Sequence, residues 1–289
     1  MFIQVLSYGI MIGAIYGLVG SGLALMFGVM KYLNIAHGTF IMLGGYASYW
    51  LFTLWGLDPF KSIPLVLLIM FTMGIVVYKI VFSPLVKVFH VGERIQNSML
   101  ITFGLLLIID NTVTWLWTSD VRSITTSYTG STFRLYSVNL PYNSLIGFGL
   151  ALLALLCLHL IINNTYYGKS IRATTQDWEG ATLMGINVDY TYLISSGVTF
   201  ALSGVAGIVI ATSYSITPSG GLEWLLKAMI VLVLAGEGKT KGILAAGLFL
   251  GVVEAVGVSL VGSAYREVFG LLAFILVLLF RPQGLFTER

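Results

Sequence analysis

The sequence predicts an all-α polytopic membrane protein with about eight or nine transmembrane segments, two broken or re-entrant helical regions and a cytoplasmic coupling helix. Three observations carry that reading. Of 289 residues, 57% are hydrophobic and only 9% charged, whereas a soluble globular domain carries roughly 25% charge. The mean hydropathy is +0.94, too apolar for one core to hide. Apolar runs also recur near the length of about 20 residues that a helix needs to cross a bilayer. Together they leave no room for an attached soluble enzyme domain, and the whole of 1–289 is expected to form one transmembrane domain.

Unbroken runs lie at about 63–82, 98–117, 144–163, 191–213 and 242–261, with a shorter one at about 266–280. Two longer regions are apolar but interrupted: 5–54 around Lys31 to Gly38, and 222–261 at Gly236 to Gly242. The opening residues Met1 to Gln4 hold no basic n-region, so no cleaved signal peptide is expected. Basic residues set the sides. Segments 83–97 (Lys87, Arg94), 164–190 (Lys169, Arg172) and 281–289 (Arg281, Arg289) read as cytoplasmic. Segment 118–143, dense in Ser, Thr, Tyr and Asn, is expected outside. The side of the N-terminus depends on whether 5–54 holds two spans or one broken element, and the sequence leaves that open.

Glycine is frequent, with 33 residues. Gly9, Gly13 and Gly17, and again Gly247 and Gly251, recur at the four-residue spacing that lets helix backbones approach closely in a membrane. These stripes read as packing. The single cysteine, Cys157, permits no internal disulfide and sits in an apolar run. The net charge of +3 forms no basic stripe, so no nucleic-acid partner is expected.

Lys31-Tyr32-Leu33-Asn34-Ile35-Ala36-His37-Gly38 places a base, an amide and an imidazole inside an apolar region. Non-helical backbone at membrane depth survives only under protein or beside a water-filled cavity. The candidate pathway residues are therefore Asn34, His37 and Gly38, followed by Gly44 and Gly45, against the plainer reading of a short surface loop. The second break, Gly236-Glu237-Gly238-Lys239-Thr240-Lys241-Gly242, contains Gly-Lys-Thr, but a phosphate loop needs glycine where Val233 stands. Gly168-Lys169-Ser170 likewise has Asn163 at the required glycine. No nucleotide or metal site is expected on this chain, since the three histidines are scattered at 37, 90 and 159. Gly236, Glu237 and Gly238 instead resemble the first break in placement, and two such breaks in two halves point to a transport site.

Asp110, His159 and Glu254 are ionisable residues within apolar runs, where function is the default hypothesis and an interhelical hydrogen bond the alternative. Glu254, behind the Gly247 and Gly251 stripe, is the strongest of the three. In 164–190, Gly168 to Ala173 leads into Gln176 to Asn187, a short helix with charge toward its start and Leu183, Met184 and Ile186 toward its end. Such an element can dock into a groove on a partner or serve as a solvated linker.

These residues resemble the permease subunits of branched-chain amino acid ABC importers, of the LivH type. The resemblance rests on Asn34-Ile35-Ala36-His37-Gly38 followed by Met42-Leu43-Gly44-Gly45-Tyr46, and on Gly168 to Arg172 with Asp177, Glu179, Ala181 and Met184-Gly185-Ile186-Asn187-Val188-Asp189. Lys227-Ala228, Glu254-Ala255 and Phe280-Arg281-Pro282-Gln283-Gly284-Leu285-Phe286 also fit, so it spans nearly the whole chain in order. It implies a multi-pass permease in the cell membrane, paired with a second related permease and two ATP-binding subunits, and supplied by an extracytoplasmic substrate-binding protein. ATP would be bound by the partners. Gly168, Arg172, Asp177, Glu179, Ala181, Met184, Gly185 and Ile186 would couple to the ATPases, and the breaks, with Glu254, would line the solute pathway. Two departures stand out: the charges Glu237, Lys239 and Lys241 in the second break, and Asp110-Asn111 where the family more often shows Gln-Asn. Related permeases move urea, short amides and organic acids. The rival of another class is a self-sufficient channel or secondary transporter using Asp110 and Glu254, which has no use for a docking segment at 164–190.

Overall fold

The computed structural model describes residues 2–88, 91–135, 138–236, 242–281 and 283–285. The chain is built almost wholly from helices: α1 (Phe2–Met30), α2 (His37–Trp55), α3 (Ile63–Val77), α4 (Ser83–Val88), α5 (Val91–Trp117), α6 (Tyr142–Asn164), α7 (Tyr166–Gln176), α8 (Trp178–Leu183), α9 (Val188–Ser213), α10 (Gly221–Ala235), α11 (Ile243–Val261) and α12 (Arg266–Phe280). Among the described residues the sheet is one pair, β1 (Thr132–Leu135) antiparallel to β2 (Val138–Pro141). Eight helices among the described residues are long and apolar enough to cross a membrane; α2, interrupted by polar and small residues, falls outside that set. The expected eight or nine segments are these eight and the broken region that contains α2.

The centre of the bundle is α1, wrapped by α6, α9, α10 and α11. Its glycine stripe explains how so many neighbours reach one helix. Gly13 lies so close to α11 that an added Cβ would sit 2.7 Å from Leu248 Cα and 2.8 Å from Gly247 O, and Gly9 meets Val252 and Gly251 in the same way. Backbone-to-backbone approach of this kind gives dispersion contacts in a medium where apolar burial drives nothing.

Helix directions show at which end of the bundle the chain starts. Ile15 of α1 lies beside Gly147 of α6, and Gly17 beside Leu155, so the two helices run parallel. α6 ends at the 164–190 segment, so α1 ends at that end of the bundle too and starts at the opposite end, beside the 118–143 segment. The 118–143 segment is shorter than expected: it closes at Pro141, because Tyr142 and Asn143 already belong to α6, where the Asn143 amide donates to Thr212 O at 2.8 Å. Strand-like pairing of Arg122 with Ile216 pins this segment to the α9–α10 turn. Tyr128 ties it to the α2–α3 turn by donating to Asp58 Oδ2 at 2.8 Å; burial, and next that hydrogen bond, push its hydroxyl up to about 12.

Candidate functional site

α1 ends at Lys31, which holds a left-handed backbone at φ +56° while its N–H closes on Phe27 O. For a residue with a Cβ that conformation is uncommon and costs about 1 kcal/mol or more. It turns the chain back into the bundle. Residues 32–36 then climb outside any helix, and α2 begins at His37 deep inside. Thr199 donates to Gly22 O, the Phe40 and Phe200 rings meet at a tilt of 48° with centroids 4.2 Å apart, and His37 Nε2 lies 3.1 Å from Val19 O. These contacts put the start of α2 about halfway along both α1 and α9. The predicted break in the first region is thus real and lies at membrane depth, with His37 and Gly38 already in the helix that follows it.

Non-helical amides at that depth need partners, and α5 supplies them. Ser98 Oγ accepts from Leu33 N at 3.1 Å, and Thr102 Oγ1 accepts from Ile35 N at 3.0 Å. Their own hydroxyls donate back to Ile95 O and Ser98 O. At the inner end Tyr32 stacks on Phe82 and its hydroxyl reaches Phe82 O at 3.4 Å. Phe82 closes a π-helical turn, Tyr78–Phe82, between α3 and α4; such turns shift the hydrogen-bond register of a helix and are frequent at functional sites.

Of the predicted pathway residues, Asn34 stands apart. It is 0% exposed, yet neither its Nδ2 nor its Oδ1 has a hydrogen-bond partner. His37 is occupied by Val19 O and packs on Gly22. Gly38 meets Gly221 at the start of α10, and Gly44 and Gly45 meet Gly204 and Gly207 of α9 at backbone distance. Packing alone accounts for those three glycines. Gly236 ends α10 with φ +89° and abuts Gly284; Glu237 and Gly238, with Lys239 and Lys241, lie outside the described residues. α11 begins against Gly17, near the middle of α1, so the region after the second break also starts inside the bundle.

Glu254 is 1% exposed and fully engaged. Lys227 Nζ of α10 donates to its Oε1 at 2.5 Å, and Tyr16 of α1 donates to its Oε2 at 2.6 Å. The ammonium also lies 5.6 Å from the Tyr16 ring centroid. Three helices thereby share one neutralised charge. Lys227 entered the sequence reading only through the resemblance, and Tyr16 not at all; a base in an apolar run 27 positions before a lone acid is the signal that was there. His159 faces outward on α6 beside Asn163, and Cys157 is exposed there too. Asp110, on α5, has a buried Oδ1 without a partner.

The 164–190 segment holds two helices rather than one. Thr165 caps α7 by accepting from Gly168 N at 3.0 Å. Asp177 Oδ1 caps α8 by accepting from Glu179 N and Gly180 N, each at 3.0 Å, and Asn187 caps α9 through Tyr190 N. Gly168 backs onto the last carbonyls of α6, the Arg172 guanidinium donates to Ile162 O, and Ala181 is buried. Burial, first, holds the Tyr167 hydroxyl well above its ordinary range while it bonds Ser195 Oγ at 2.7 Å. Gly185 turns the chain at φ +82° and Ile186 N returns to Ala181 O. The outcome is a braced turn that presents Leu183 at 88% and Met184 at 85% exposure, with Glu179 also exposed. Arg94, at the start of α5, lies over the Trp178 ring at 5.9 Å. The helix that holds the break is therefore in contact with the helix that holds the prong.

Comparison with known proteins places this architecture. The family profile described as branched-chain amino acid transport system, permease component, matches residues 5–280. The chain is 31% identical to the high-affinity branched-chain amino acid transport system permease protein BraD of Pseudomonas aeruginosa, across 98% of this chain and 95% of that protein. It is 25% identical to the LivH permease of Escherichia coli over the same shares, and 26% identical to a probable LivH permease of Methanocaldococcus jannaschii over 93% and 87%. No solved structure matches.

Proposed function

The chain belongs to the branched-chain amino acid transport permease family, and we propose that it is the membrane-spanning permease of an ATP-driven importer for branched-chain or other hydrophobic amino acids. It is a multi-pass membrane protein and a transport component. The solute follows from what the relatives are named for, and the partners we assign are a second related permease, two ATP-binding subunits and an extracytoplasmic binding protein. ATP would be hydrolysed on those subunits, with no cofactor on this chain.

The observation that carries the reading is the Leu183–Met184 prong. Two large apolar side chains stand in water on a turn capped at Asp177 and Asn187 and anchored through Arg172 and Tyr167. A rigid apolar knob of this kind fits a groove on a soluble partner. Through Trp178 and Arg94 it touches α5, which holds residues 31–36 by Ser98 and Thr102. Motion at the prong is thereby delivered to Asn34, and we place the solute path along that break and the facing stripe of α5. A channel that uses Glu254 fits less well, because Lys227 and Tyr16 already occupy that carboxylate.

The double variant Leu183→Asp, Met184→Asp tests this. Losing two buried apolar side chains removes about 3–5 kcal/mol of association energy, so ATP-binding subunits should no longer co-purify while the permease keeps its melting temperature. Undiminished co-purification would remove the docking role.

A further inference from the structure

Resting on the permease reading, one polar pair on the proposed path has no partner inside the protein beyond its own two members. Asp110 lies on α5 two helical turns outward of Thr102, about 12 Å along the axis. Leu106 and Ile109 of the same face pack with Ala36, Phe40 and Leu43, which brings Asp110 level with the first turn of α2. There the Thr39 hydroxyl lies beside the Asp110 carboxyl. Thr39 is 2% exposed, and beyond that mutual contact neither its Oγ1 nor the buried Asp110 Oδ1 makes a hydrogen bond.

The neighbours show that this is not the ordinary state of a polar residue on α5. Asn111, Thr112 and Thr114 each donate to the carbonyl one turn back on the same helix, at 2.6–2.7 Å. Among the described residues no cation pairs with this carboxylate. Arg122 donates to Trp117 O and lies over the Tyr49 and Trp50 rings, Lys227 is paired with Glu254, and Lys31 lies over Phe27. A carboxylate without a counter-charge at membrane depth is expensive. A carboxylate and a hydroxyl oxygen side by side are acceptors for a group with several N–H donors and a positive charge, which describes a primary ammonium. Aromatic rings lie on the outer side of this pair, where Tyr46 and Trp50 surround Trp117. Asn34, level with Thr102, is the next unsatisfied polar group inward.

We infer that Asp110 and Thr39 form a subsite that takes the ammonium group of a transported amino acid on its way through the permease. The carboxylate supplies the counter-charge, Thr39 a neutral acceptor beside it, and the pair selects for solutes that carry a cation over uncharged amides or organic acids.

The test uses the complete transporter in proteoliposomes, with its binding protein and radiolabelled L-leucine, and measures uptake and ATP hydrolysis together. For Asp110→Asn, uptake should fall about tenfold, the worth of one charge-assisted hydrogen bond, and ATP consumed per leucine should rise by the same factor. Asp110→Glu should keep uptake within about threefold of the wild type, and Thr39→Val should fall between the two. Wild-type uptake in Asp110→Asn overturns the subsite. So does a parallel loss of uptake and hydrolysis that Asp110→Glu fails to rescue, which marks a structural role. A wild-type complex that moves none of leucine, isoleucine and valine overturns the underlying permease assignment, and the subsite with it.

Discussion

Lys227, Glu254 and Tyr16 show how a single buried charge is tolerated in this bundle. Desolvating two ions is repaid only when geometry is close and the remaining lone pairs are satisfied, and here both carboxylate oxygens have donors. Lys227→Met should therefore destabilise the protein by about 3–5 kcal/mol by leaving Glu254 buried and alone, whereas Lys227→Met with Glu254→Leu should recover most of that loss. Scanning fluorimetry in detergent reads both; equal melting temperatures for the single and double variants would contradict the pairing. The acid was visible in the sequence as a lone charge in an apolar run. Its partner was visible only as a second lone charge in an apolar run, because residues 27 apart on different helices share no periodic signature that pairs them. Asn34 was legible for the opposite reason: an amide within a polar break is conspicuous, and the structure leaves it without partners.

Among the elements, α5 does work that its composition conceals. Ser and Thr in membrane helices commonly bond the carbonyl one turn back, so Ser98 and Thr102 look self-sufficient, and only the three-dimensional fold shows them also accepting from Leu33 and Ile35. Thr102→Val keeps the shape and leaves the Ile35 amide unsatisfied, at a cost of about 1–3 kcal/mol. The variant should melt earlier and transport more slowly than Thr112→Val, whose hydroxyl bonds only its own helix; indistinguishable variants would remove the holding role. The α1–α11 crossing, by contrast, was written in the glycine spacing. Gly13→Leu must displace Leu248 and Gly247, an overpacking penalty of about 1–3 kcal/mol, and Gly13→Ala a smaller one. Melting temperatures should fall in that order.

At the scale of the molecule, the number of spans and the two breaks followed from apolar run length and its interruptions, since lipid imposes both. The depth of the breaks did not, because it depends on where His37, Phe40 and Leu244 meet α1 and α9. Nor did the end of the bundle at which the chain starts, which needed the parallel run of α1 and α6. The result is a central glycine-lined helix, an interrupted region held by α5, and a braced apolar prong at one end of the bundle in contact with that same α5. Such a machine should move solute only when its prong is engaged. The most direct measurement is ATP-dependent uptake of radiolabelled L-leucine by proteoliposomes containing the purified complex, with wild-type permease and with Leu183→Asp, Met184→Asp in parallel. Uptake that requires ATP and is lost in the double variant is the predicted result. Uptake without ATP by this chain alone, unchanged by the substitutions, would contradict it and favour a channel or secondary transporter.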